Sequence, residues 1–205
     1  MAVGLVVAGP VHASTSNWTN ASRESHLKSP LRDLTRAEHA RVDFLYSQFV
    51  LDEPAGYAAF LRAQGAAYCS IEAALDRGEV ERWIHDWPAR RRRAALLADL
   101  ADLGLPAPHP EFDISLEQLP EMLGAVYVLE GSRLGGKLLA RQLYAGAPKR
   151  FLDAAGPRSA WPLLLGVLNK SLESSADLET AARAAMTCFG CFERAALQNG
   201  EQELA

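Results

Sequence analysis

Apolar residues along most of this chain recur three, four and seven positions apart, the period of one face of an α-helix, and no stretch alternates with period two. After Ser29-Pro30, an N-cap with proline in the first turn, Leu31, Leu34, Val42, Leu45 and Phe49 keep that spacing until Asp52-Glu53-Pro54 breaks it. A helix over 30–50 is predicted. A second, over 54–76, carries Tyr57, Phe60, Leu61, Tyr68 and Ile71 among many alanines and closes at Asp76-Arg77-Gly78. A third, over 88–103, opens at Pro88, runs through Arg90 to Arg93, and then presents Leu96, Leu97, Leu100 and Leu103 before Gly104. Leu105 to Asp113, with three prolines, is a loop. A further helix leads from a capping-box pattern at Ser115-x-x-Gln118, or from Pro120, to about Tyr144, and two more cover 159–172 and 176–198. The expectation is an all-α, single-domain bundle of about six or seven helices over 30–205. Residues 1–29 are polar around a lone Trp18 and read as a flexible N-terminal extension.

One of these helices is badly made for its place. Leu123 to Leu139 is apolar enough for a core, yet holds Gly131, Gly135 and Gly136. Each interior glycine costs about 1 kcal/mol relative to alanine, so bare backbone should have a use here: a bend, or a flat surface for something bulky.

Composition narrows the rest. With 205 residues, 49% hydrophobic, the chain can bury one core, and a net charge of −4 offers no footprint for nucleic acid or an anionic membrane. No run is long enough for a membrane span, and the apolar start from Val3 to Val11 lacks a preceding Lys or Arg, so a signal peptide is not expected. Cys69, Cys188 and Cys191 are an odd number in helical sequence, which predicts reduced thiols and a cytoplasmic protein. Cys188-Phe-Gly-Cys191 lacks the second ligand pair of a zinc site and reads as core thiols. The four-arginine run reads as a solvated helix face.

Of the five histidines only His39 sits in a strong amphipathic helix. Helical geometry puts Arg32, Thr35, His39, Val42 and Asp43 near one stripe, and Asp43 at i+4 can hold one imidazole nitrogen so that the other faces inward. Such a set could hold a haem, iron on His39 and a propionate on Arg32. A histidine of this kind is more often a satisfied core or surface residue, and only the glycine helix, as a flat wall for a macrocycle, shifts the balance.

Together the two stretches resemble one family. Leu31-Arg-Asp-Leu-Thr-Arg-Ala-Glu-His39 resembles the proximal helix of haem oxygenases, and Tyr127-Val-Leu-Glu-Gly-Ser-Arg-Leu-Gly-Gly136 their distal helix, in the form found in the bacteriophytochrome-associated bacterial branch. The resemblance implies a haem-oxygenase-type helical fold with a kinked, glycine-rich distal helix, in which haem is both cofactor and substrate. It implies conversion of haem to biliverdin, carbon monoxide and ferrous iron with an external electron donor, a reductase or ferredoxin, and delivery of the bilin to a bacteriophytochrome. His39 matches the proximal iron ligand, Arg32 a propionate partner, Asp43 the acid that holds the proximal imidazole, and Gly131, Gly135 and Gly136 the distal glycines. Ser132 stands where many members carry the aspartate that organises proton delivery. Tyr127 and Arg133 are further candidates for the pocket and the propionates, against simpler roles as a core aromatic and a solvated charge. Two other readings remain, a non-catalytic haem-binding or haem-sensing relative and a haem-free helical interaction protein.

Overall fold

The computed structural model describes residues 30–200, so the extension expected over 1–29 lies outside the described residues. Their regular structure is all helical: α1 (Pro30–Leu34), α2 (Arg36–Tyr46), α3 (Pro54–Arg77), α4 (Trp87–Arg90), α5 (Arg93–Asp102), α6 (Leu119–Leu139), α7 (Arg150–Asp153), α8 (Ala160–Ser171) and α9 (Ser175–Gly200), with a 3-10 turn at Val80–Arg82. No strand occurs among the described residues, and no helix there is long and apolar enough to cross a membrane.

Helix α9 is the centre, lying on α6, α3 and α2. Small residues make those seams close. Ala59, Ala63, Ala66 and Ala67 of α3 and Ala181, Ala182, Ala185, Ala195 and Ala196 of α9 are all buried. At the crossing of α6 and α9 a Cβ on Gly124 would lie 2.1 Å from the Ala181 carbonyl oxygen, so only glycine permits that approach. Cys188 and Cys191 are buried in this core, and burial pushes both thiols up, as inert core cysteines require. No group of three or more metal-ligating side chains occurs among the described residues.

The first and third predicted helices are both interrupted, each for a local reason. The first helix is interrupted at Thr35, whose hydroxyl donates back to the Leu31 carbonyl (2.7 Å) and whose backbone leaves helical geometry. It then ends at Tyr46 rather than near 50, and Arg32 lies across the break from His39. The predicted third helix is split at Arg91, where the backbone is extended. Extended backbone sends residues 90 and 92 to one side. Arg90 and Arg92 are accordingly buried while Arg91 and Arg93 face solvent, so the arginine run is not the solvated face its charge suggested.

The glycine helix α6 starts one cap later than Ser115 would give. Gln118 is its N-cap and Glu121 accepts from the Gln118 backbone N–H (2.9 Å), completing the capping box. The helix is continuous through Gly131, Gly135 and Gly136 and ends at Leu139, short of Tyr144.

Candidate active site

Helix α2 presents its apolar stripe, Val42 and Tyr46, to the core and carries His39 on the flank of that stripe, half-buried. One turn on, Asp43 places Oδ2 at 3.0 Å from His39 Nδ1, the i,i+4 geometry the sequence predicts. In a neutral imidazole this contact favours the proton on Nδ1 and leaves the Nε2 lone pair free. The ring packs edge-on against Phe189 of α9, with centroids 5.7 Å apart. Oδ1 of Asp43 and the Tyr46 hydroxyl are buried with no hydrogen-bond partner among the described residues.

Facing α2 across a slot is the middle of α6. The slot is lined by His39, Val42, Tyr127, Val128, Gly131, Ser132, Phe189 and Phe192, so one histidine, two hydroxyl-bearing side chains and one bare backbone position meet among apolar walls. Its volume is about 10 Å³. That is room for about one water, and a planar macrocycle entering here requires α2 and α6 to part.

Other predicted residues sit around this slot. Arg32 is exposed, close enough for its charge to act on the Tyr127 phenol, which burial pushes up and which the Thr35 hydroxyl and Arg32 partly draw back down. Tyr127 also stacks obliquely on Trp161, centroids 5.6 Å apart. Gly135 and Gly136 are buried further along α6. A Cβ on Gly136 would meet the Leu152 carbonyl oxygen at 2.6 Å, so this glycine also admits the backbone of α7.

Arg133 points behind the helix. Its guanidinium donates to Glu130 (2.9 Å), to the Ala154 carbonyl (3.0 Å) and to the Arg90 carbonyl. Glu130, 2% exposed, also accepts from Arg90 (3.0 Å), which in turn grips Asp86 with two bonds (2.6 and 2.9 Å) and donates to the Ala160 carbonyl (3.2 Å). Beside this cluster lies Arg92, whose Nη2 donates to the Ser132 hydroxyl (2.6 Å) and the Leu129 carbonyl (3.1 Å). Burial and the neighbouring Arg133 cation pull the Arg92 guanidinium down to about 9, with Glu130 opposing, so it stays cationic at neutral pH. Tyr68 completes the group, its hydroxyl 2.7 Å from Ser132 Oγ.

Sequence reasoning missed Arg90, Arg92, Glu130 and Tyr68. One signal was available: Glu130 is the only charge between Glu121 and Arg133 on an apolar helix, and a carboxylate placed so needs a buried cation.

Comparison with known proteins adds a second line of evidence. No family model matches the chain. Haem oxygenase PigA of Pseudomonas aeruginosa is 28% identical over 184 residues, covering 84% of this chain and 92% of that protein. A haem oxygenase of Xanthomonas campestris is 32% identical over 146 residues, 66% of this chain and 86% of its own length. The crystal structure of the NO- and CO-bound haem oxygenase from Neisseria meningitidis superposes with a TM-score of 0.69 at 21% identity, over 82% of this chain and 89% of that one, which establishes a shared fold. With the identity to the Xanthomonas enzyme holding over most of that protein's length, the chain belongs to the haem oxygenase family.

Proposed function

We propose that this enzyme opens haem to biliverdin, carbon monoxide and ferrous iron in the slot between α2 and α6. The observation that carries the reading is that His39, Gly131 and Ser132, far apart in sequence, line one apolar slot. The donor set suits the group: a neutral imidazole held through Nδ1 by a carboxylate offers Nε2 to iron, and apolar walls suit a porphyrin face. Haem, when bound, supplies both the redox-active iron and the ring that is opened.

The chain's own residues then divide the work. His39 ligates, and Asp43 fixes its tautomer and ring orientation. Arg32, exposed near the slot beside Tyr127, pairs with a propionate. Gly131, with Gly135 and Gly136 beyond it, forms a roof low in side-chain bulk over the ring, and Ser132 is the polar group nearest the chemistry. Electrons come from an external reductase or ferredoxin. The Gly131-Ser132 pair follows the bacteriophytochrome-associated branch, so the bilin is assigned to a bacteriophytochrome in the cytoplasm.

Hemin titration tests this. The wild-type chain should give a histidine-ligated Soret band that His39→Ala abolishes or shifts, and added reductant should convert it to a bilin spectrum. A Soret band without ring opening would leave a haem-binding relative; no Soret change would overturn the reading.

A further inference from the structure

Ser132 stands where many members of the family carry an aspartate, and its surroundings show what it does instead. A serine hydroxyl has one proton to give and two lone pairs to fill. Here the proton goes to the Leu129 carbonyl (2.8 Å), and the oxygen receives Arg92 Nη2 (2.6 Å) and faces the Tyr68 hydroxyl (2.7 Å). All three positions are taken by protein. Ser132 is therefore a link between α6 and what lies behind it, reinforced by the Tyr68 hydroxyl, which also reaches the Leu129 carbonyl (3.1 Å).

Arg92 is placed for this link with unusual care. The buried Glu72 carboxylate accepts the backbone N–H groups of Arg92 (2.8 Å) and Arg93 (3.3 Å), fixing the chain where α5 begins. The guanidinium lies over the rings of Tyr68 and Phe151, 4.8 and 4.7 Å from their centroids. Phe151 is itself held by Asp99, which accepts its backbone N–H (2.8 Å). Unlike those of Arg90 and Arg133, the guanidinium of Arg92 has no carboxylate bonded to it among the described residues. Glu130 offsets this buried cation only at a distance, and Ser132, which the guanidinium bonds, lines the slot.

We propose that Arg92 is the positioning residue of the distal wall: through Ser132 and the Leu129 carbonyl it fixes the glycine stretch of α6, and its charge makes the distal side of the slot electropositive. The pocket's polarity on that side then comes from a cation behind the helix rather than from the side chain at position 132. The proposal rests on the function above for its haem arm and stands apart from it in the other.

The haem-free chain gives the first test. Thermal unfolding of R92M, S132A and the double variant should be non-additive, the double variant lying within about 1 °C of R92M and recovering a coupling of about 2–4 °C. Additive losses would overturn the link. The second test is the C–O stretch of the ferrous, CO-bound holoprotein, which reports the potential at the distal side. R92M should move it to higher wavenumber, and R92K, which keeps the charge without the fork, should bring it most of the way back. An unmoved frequency in R92M, or no rescue by R92K, would overturn the electrostatic role. A wild-type chain that takes up no haem would overturn the proposed function, with the coupling in the haem-free chain still deciding Arg92's structural one.

Discussion

The two walls of the slot are built on opposite principles. On the proximal side, α2 holds His39 by a single carboxylate contact and leaves Asp43 Oδ1 and the Tyr46 hydroxyl buried and unpartnered among the described residues. On the distal side, α6 is tied down from behind by Arg90, Arg92 and Arg133 converging on Glu130, Ser132 and the Leu129 carbonyl. A buried polar group without a partner costs about 1–3 kcal/mol, whereas a satisfied network rigidifies its element. The contrast teaches that one wall is fixed, despite its glycines, and that the other is where polar capacity has been left open. If α2 and α6 must part to admit a macrocycle, the side with fewer ties is the one that moves.

The largest test of this contrast is Glu130→Ala. It would leave Arg90 with only Asp86 for a carboxylate, Arg133 with carbonyls alone, and Arg92 without the one anion that offsets its neighbour. Breaking one member out of a buried charge cluster costs about 3–5 kcal/mol, to be read by urea or thermal unfolding. As the reference, Arg36→Ala removes the exposed pair with Asp33 and should fall within about 0.5 kcal/mol. If the two variants lose similar stability, the distal wall is not anchored by its charges.

Next in size is Gly124→Ala, which asks whether the spacing of the walls is set by the α6–α9 crossing. The new Cβ would meet the Ala181 carbonyl oxygen at 2.1 Å, backbone against backbone, so the helices must move apart at a cost of about 1–3 kcal/mol. Gly166→Ala is the matching control. In α8 its Cβ meets nothing within 4 Å, and helix propensity predicts a gain of about 0.5–1 kcal/mol. Equal losses would show that glycine content, not close approach, governs these helices.

How much of this was legible in the sequence follows the same division. The proximal pair His39 and Asp43 depends on local spacing within one helix, and a period of 3.6 residues is enough to place it. The glycine helix announced itself by its cost, and its neighbours in the slot follow the resemblance. The network behind it was not legible, because it depends on a break in the chain at Arg91 that turns two of four arginines inward. Periodicity assigns a helix through such a run and puts all four on its surface. Likewise Thr35 reads as one more stripe residue, and only its back-bond to Leu31 reveals that Arg32 belongs to a separate turn.

The smallest effect, and the one aimed at the proximal wall, is Tyr46→Phe. The ring sits among Phe49, Phe60 and Phe192, so its packing survives the change, and the hydroxyl that is lost has no partner among the described residues. At pH 7 the variant should lie within about 0.5 kcal/mol of wild type, on the stabilised side. The pH dependence then separates them. Burial raises the Tyr46 phenol well above its usual value of 10.0. A folded-state pKa raised in this way means that stability is full below about 10 and is lost as pH climbs toward the folded value, because the unfolded chain releases the proton first. Wild type should therefore lose stability between pH 10 and 12 faster than Tyr46→Phe, and melting curves across that range would show the gap widening in the variant's favour. Curves that fall in parallel would mean that the hydroxyl is not an isolated buried donor. The proximal wall would then be as fully satisfied as the distal one, and the asymmetry between them would be lost.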